Sequence, residues 1–220
     1  MLASDIISEV NKQLNDVGQV TWDEAALFDY IDSAQQMIVS IRPDANSQTT
    51  VMQMVAGALQ SAPANSIRLL DVTRNMGTDG LTAGRQVLAC TEEALDLFSF
   101  NYTAAVQAVA VKNFTYDDRA PRTFYVDPPS DGTGYLEVKI SIVPTAIAAP
   151  GDTLDLRDIY KSHIVQWCMY RAYAIEFDSR TSQNRAAIHE SSFYQMMGQK
   201  FQRDVLFTPS VETQENASGG

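Results

Sequence analysis

Cysteine is scarce in this chain, with two in 220 residues, and so are histidine and tryptophan, with two each. Cys90 and Cys168 cannot make a disulfide framework. Both stand in apolar stretches, so they read as small buried hydrophobes of a protein made in a reducing cytoplasm. Two histidines leave little from which to build a zinc site or a nucleophile–base pair. No apolar run approaches the ~18 residues of a membrane span. The first ten residues, MLASDIISEV, carry acids and no basic segment, so they do not read as a secretory signal. Positive charge is also short: 16 Lys and Arg stand against 27 Asp and Glu, a net charge of −11. A chain with no basic footprint is not built to grip phosphates, which argues against sequence-specific DNA binding.

What is present is an ordinary globular composition, 45% hydrophobic, in a chain long enough to bury a core. The acids are unevenly spread. Residues 1–44 carry eight (Asp5, Glu9, Asp16, Asp23, Glu24, Asp29, Asp32, Asp44) against Lys12 and Arg42.

Both ends carry a helical period. Ile6, Val10 and Leu14 predict a helix over 3–16, with Ser4 as N-cap and Gly18 as terminator. Thr21-Trp22-Asp23-Glu24 has the form of a capping box, followed by the stripe Leu27, Ile31, Ala34, Ile38, Ile41. Arg42-Pro43 should end that helix. Leu156 to Phe177 reads as the strongest helix in the chain, and Thr181 or Ser182 as the start of a last one.

Between these ends the period falls to two. Thr50–Leu59, Ser66–Met76 and Arg85–Ala89 read as strands, and Thr91 as the cap of a short helix. In Phe114–Pro129, FTYDDRAPRTFYVDPP, alternating aromatic and branched residues flank an Asp-Arg-Pro turn, the pattern of a hairpin ended by Pro128-Pro129. Tyr135–Val143 alternates most strictly, with Leu136, Val138, Ile140 and Ile142 on one face and Glu137, Lys139 and Ser141 on a wet one.

The expected fold is therefore α+β. The N- and C-terminal helices (1–44 and 152–202) form a four-helix bundle, because neither pair could bury its stripe alone. Residues 45–151 form an inserted small antiparallel β-sandwich or barrel, and 203–220 a flexible C-terminal tail.

No stretch carries a reaction centre. Gly77-Thr78-Asp79-Gly80 lacks the Lys and Ser/Thr of a phosphate loop. Glu92-Glu93 and Asp117-Asp118 fit a helix start and a solvated turn. No catalytic, metal-binding or cofactor-binding residue is assigned, and no cofactor is expected. The residues singled out are instead candidates for a subunit or partner interface: Arg68, Arg74, Arg119 and Arg122 of the β region, able to pair bidentately with acids of a neighbouring copy, and Val205, Leu206, Phe207 and Val211 near the C-terminus. Head-to-side contacts of that kind close into rings where the rotation allows. Two other readings compete. One is a hydrolase using Asp117 or Asp118 with His163. The other is a β-sandwich module binding a glycan or protein, with Trp22, Tyr125 or Tyr135 as stacking platforms.

Four blocks, in order, carry a resemblance. They are Val20–Leu27 leading to Ile41-Arg42-Pro43-Asp44-Ala45; Ile67–Gly77, IRLLDVTRNMG; Asp117–Pro129, DDRAPRTFYVDPP; and Leu156–Tyr160 with Tyr170-Arg171-Ala172-Tyr173-Ala174. Over residues 3–200 the chain resembles bacteriophage adaptors, the head-to-tail connector proteins akin to the tail tubular protein A of short-tailed phages. The resemblance implies a structural protein rather than an enzyme. It implies a homo-oligomeric ring, commonly of twelve, docked on the portal protein and carrying the tail nozzle or tube. DNA would pass through the lumen unread during ejection. It also implies a place in the virion neck after assembly in the host cytoplasm, with no membrane partner. Residues 203–220 lie outside it.

Overall fold

The computed structural model describes residues 1–18, 20–98, 102–175 and 180–207. Helix α1 spans Ala3–Leu14 and buries Ile6, Ile7 and Val10. Ser4 is not its cap. The amides of Ala3 and Ser4 are taken by the carbonyls of Asp152 and Pro150, each at 2.9 Å, and the Asp5 carboxylate accepts the Leu2 amide at 3.2 Å. With its first donors already satisfied, the helix needs no hydroxyl there. It ends at Asn15 rather than Gly18. Asn15 takes the left-handed conformation (φ 57°), which asparagine tolerates better than most residues.

Helix α2 spans Glu24–Ile41, and its cap is Asp23, whose carboxylate accepts the Ala26 amide at 2.8 Å. The Thr21 capping box does not form, because the Thr21 amide is already bonded to Asp16 at 2.9 Å. Leu27, Ile31, Ala34 and Ile38 face the core, while Ile41 lies half exposed at the end. Arg42 closes the helix before Pro43, as the proline requires.

A single 3-10 turn, Pro43–Asn46, leads into β1, Ser47–Gln53. The predicted strand over 50–59 breaks at Met54–Ala56, and β2 covers Gly57–Ser61. The buried Gln60 side chain holds the break, accepting the Val55 amide and donating to the Val55 and Gly57 carbonyls at 2.8–2.9 Å. Then follow β3, Ser66–Asn75, β4, Leu88–Ala89, and α3, Glu92–Phe98, with Thr91 accepting the Ala94 amide at 3.2 Å. Strands β5, Asn113–Thr115, and β6, Thr123–Ser130, form the expected hairpin, with Phe114 opposite Val126. Its return strand runs through Pro128 and Pro129 instead of stopping at them. They sit where the register against β2 shifts, between Gly57 and Leu59, so no regular ladder bond asks for their missing N–H. Strand β7, Tyr135–Ile142, completes the β part.

The strands form two sheets, ordered β1-β7-β3 and β2-β6-β5-β4, which do not close into a barrel. They are not wholly antiparallel. Leu88 and Ala89 pair in parallel with Asn113 and Phe114, because the segment holding α3 carries the chain back to the same starting end. Leu69, Val72, Leu136, Val138 and Ile140 share one buried cluster with Phe114, Phe124 and Val126 of the other sheet. Ser141, predicted to be wet, is fully buried, because the Pro43–Asn46 turn lies against its end of β7.

The chain returns to helix through a 3-10 turn, Asp158–Tyr160, into α4, Lys161–Ile175, then α5, Arg180–Phe207. Helix α5 thus continues five residues beyond the expected boundary at 202. Helices α1, α2, α4 and α5 contribute Ile6, Val10, Leu27, Ile31, Ile164, Trp167 and Phe193 to a second buried cluster, joined by Tyr160 of the 3-10 turn. The molecule is thus α+β, with a helical core fed from both ends of the chain and a separate buried cluster to which both sheets contribute.

Candidate interaction surfaces

The candidate arginines lie on the β part, and three of the four meet partners within the chain. Arg68, on β3, forms an ion pair with Asp118 in the β5–β6 turn. The pair walls a shallow cleft of about 260 Å³ that also takes in Pro43, Asp44, Leu69 and Tyr116. Arg74 faces Glu137 across the β3–β7 ladder at 3.7 Å. The Arg122 guanidinium donates to the Ala64 carbonyl at 3.4 Å, tying the hairpin to the β2–β3 loop. The Arg119 amide donates to Asp117 at 2.9 Å and shapes the turn, while its side chain lies exposed. Exposed pairs of this sort contribute little stability each. Arg68 and Asp118 are fifty residues apart in sequence, so nothing local announces their pairing.

Val205, Leu206 and Phe207 fall on the last turn of α5, and Val211 lies outside the described residues.

The hydrolase constellation is not assembled. Asp117 and Asp118 are exposed in the hairpin turn, whereas His163 is buried on α4 with its ring edge-on to Tyr160, 5.6 Å between centroids. Beside the turn, a second cleft of about 440 Å³ gathers Cys90, Glu92, Tyr116, Asp117 and Asp118. Burial pushes the Cys90 thiol up, with the nearby Asp127 charge adding to it, the opposite of what activates a thiolate. Burial raises the Cys168 thiol far more. Among the described residues no three His, Cys, Asp or Glu side chains converge to hold a metal ion, and no helix is long and apolar enough to cross a membrane.

The aromatic platforms are scattered. Trp22 is buried in the helical core. Tyr125 is exposed on β6, and Tyr135 on β7 hydrogen-bonds Gln53 at 3.3 Å and covers Gly80.

One feature absent from the sequence reading lies at the sheet margins. Residues 45–67, spanning β1 and β2, contain no charged residue, in a chain that is 20% charged. That gap in the charge pattern is the signal that could have drawn attention to these two strands.

These features define a mixed α+β protein whose candidate arginines stand on the β part. The family model described as SU10 adaptor protein matches residues 1–213, and the chain belongs to that family of phage adaptors. The match includes residues 203–213, which the resemblance drawn from the sequence left out. No curated protein matches the chain.

Proposed function

We propose that this adaptor works by binding, as a ring of copies between the portal and the tail nozzle or tube, with DNA passing through the lumen. Family membership over residues 1–213 is the observation that carries this reading. The charge supports it. A ring of twelve copies at −11 each would carry on the order of −130 charges, and a repulsive wall lets DNA slide rather than stick. The chain serves the virion neck as structure, without a reaction of its own.

The helical part (1–44 and 152–202) is read as a four-helix bundle and the segment 45–151 as an inserted β-sandwich, an arrangement supported by the two separate buried clusters. Arg68, Arg74, Arg119 and Arg122 stand on the inserted part, where they can reach a neighbouring copy or the tail. The segment from Val205 to Val211 is the candidate for docking on the portal.

The test is the mass of the purified chain, alone and mixed with portal rings of the same phage. Ring-sized complexes in the mixture are the expected result. A chain that stays apart from portal rings at every concentration would overturn the reading. Loss of docking on removal of 203–220 from a chain that stays folded would locate the portal contact.

A further inference from the structure

The two sides of the β part are finished differently. On the β3 side the outer edge is occupied. Asn75 donates to the Arg85 carbonyl at 2.9 Å, Gly84 donates back to Asn75 at 2.8 Å, and Val87 donates to Thr73 at 3.2 Å. On the other side, β1 ends its sheet with β7 on one flank and, among the described residues, no strand on the other.

The register says which groups face outward. Met54 donates to the Gly134 carbonyl at 2.9 Å, continuing the pairing of Gln53 with Tyr135. Hydrogen-bonded pairs alternate along an antiparallel ladder, so Thr50 and Met52 exchange bonds with Val138 and Leu136. Thr49, Val51 and Gln53 then aim their N–H and C=O groups away from the sheet. Strand β7 agrees, since Tyr135 exchanges its bonds with Met76 and Gly77 on the β3 side at 2.8 and 2.9 Å.

Free edges are normally protected by a charge, a proline or a bulge. Strand β1, SQTTVMQ, has none of these, and its register is regular over seven pairs. The uncharged run continues through β2 to residue 67. Val51 on β1, Val55 in the break after it and Leu59 on β2 are 41%, 59% and 49% exposed. An unguarded, uncharged and partly apolar edge is a template for another strand.

We infer that the outer edge of β1 receives an extended segment from a second copy of this chain, which adds to the sheet through backbone hydrogen bonds. The inference rests on the adaptor reading and names where its copies meet. Charge selects the occupant. Each copy carries −11, so two copies repel over most of their surfaces. The uncharged edge is where a like-charged copy can approach closest, and backbone pairing asks for no opposite charge. A basic partner would gain nothing there.

The test uses the full chain with Val51→Lys or Thr49→Pro, alone and on portal rings. Proline at 49 removes an outward N–H and leaves the ladder to β7 intact. The native chain should assemble, with the amides of Thr49, Val51 and Gln53 exchanging about tenfold more slowly in the assembly than in the free chain. Those of Thr50 and Met52 should be slow in both. Both variants should melt like the native chain and lose assembly. Should the proline variant unfold, Val51→Lys and the alternating exchange pattern decide. Variants that assemble as the native chain does, or outward amides that exchange alike in both states, overturn the inference while leaving the adaptor reading intact. A native chain that never assembles removes both. Protection of the edge in a complex holding one copy of the chain would put a portal strand there and overturn the choice of occupant.

Discussion

The Asp32 carboxylate on α2 accepts the amide of Ile147 at 3.0 and 3.2 Å, pinning the segment that returns the chain from the β part to the helices. Burial raises the Asp32 pKa above 3.8, and the Ile147 amide only partly offsets it. The folded chain therefore holds this proton more tightly than the unfolded chain does. Its contribution to stability grows as pH falls from neutral through the raised pKa, and levels off below 3.8. Asp32→Asn keeps an acceptor for Ile147 but removes the titration. Thermal unfolding from pH 7 to pH 4 should show the native chain gaining on the variant as the pH falls; parallel curves would refute this.

Asp16 behaves oppositely. Its carboxylate accepts the amides of Val20, Thr21 and Trp22 at 2.9, 2.9 and 3.1 Å, and these bonds, that of Trp22 foremost, hold its pKa below 3.8. The stability it contributes is present above 3.8 and is lost as pH falls through the depressed value. Asp16→Ala should lower Tm by several degrees at pH 7. The gap to the native chain should close in acid, which calorimetry over a pH series would register.

His163 should make the helical core sensitive to mild acid. Burial pulls its pKa below 6.5; the Met196 backbone opposes the shift, and Lys200 adds to it. The unfolded chain then binds the proton first, so stability falls as pH drops below 6.5 toward the lowered pKa. His163→Phe keeps a ring against Tyr160 without the titration. Its Tm should change less than the native chain's between pH 7 and pH 5.

Asn75 stitches the β part together. Its buried amide donates to the carbonyls of Arg85 (3.0 Å) and Val111 (2.8 Å), and its oxygen accepts the Val111 amide (2.9 Å). Asn75→Ala leaves those groups unpaired and should cost about 3 kcal/mol in denaturant unfolding. A loss under about 1 kcal/mol would mean that solvent replaces the bonds.

In the helical core, Phe193 on α5 is fully buried, 4.9 Å from the Trp167 ring. Phe193→Ala should cost about 4 kcal/mol, by lost transfer and a residual cavity. The same denaturant titration measures it, and near-native stability would show that the middle of α5 is not packed as described.

Periodic elements were legible in the sequence. Strand β7 could be read because Leu136, Val138 and Ile140 all face one core. The β5–β6 hairpin was legible because Phe114 and Val126 lie opposite each other in a short local connection. What failed depended on competition or distance. Thr21 and Asp23 are both proper helix caps, and only the bond from Thr21 to Asp16 decides between them. The two residues of β4 are too few to show a period, and their parallel partner lies some 25 residues on. The candidate arginines were visible as residues, but their pairing with Asp118 and Glu137 is a product of the tertiary fold.

The chain enters the sheets at Ser47 and leaves them just after Ser141, and these two residues face each other across β1 and β7. The Asn46 side chain donates to the Ile142 carbonyl at 3.1 Å and fastens the two crossings together. Departure and return thus share one doorway. Loops beyond it can lengthen, shorten or be exchanged without changing the gap that the helical scaffold must span. Evolution can redesign what the β part presents to its neighbours while the helices keep their spacing.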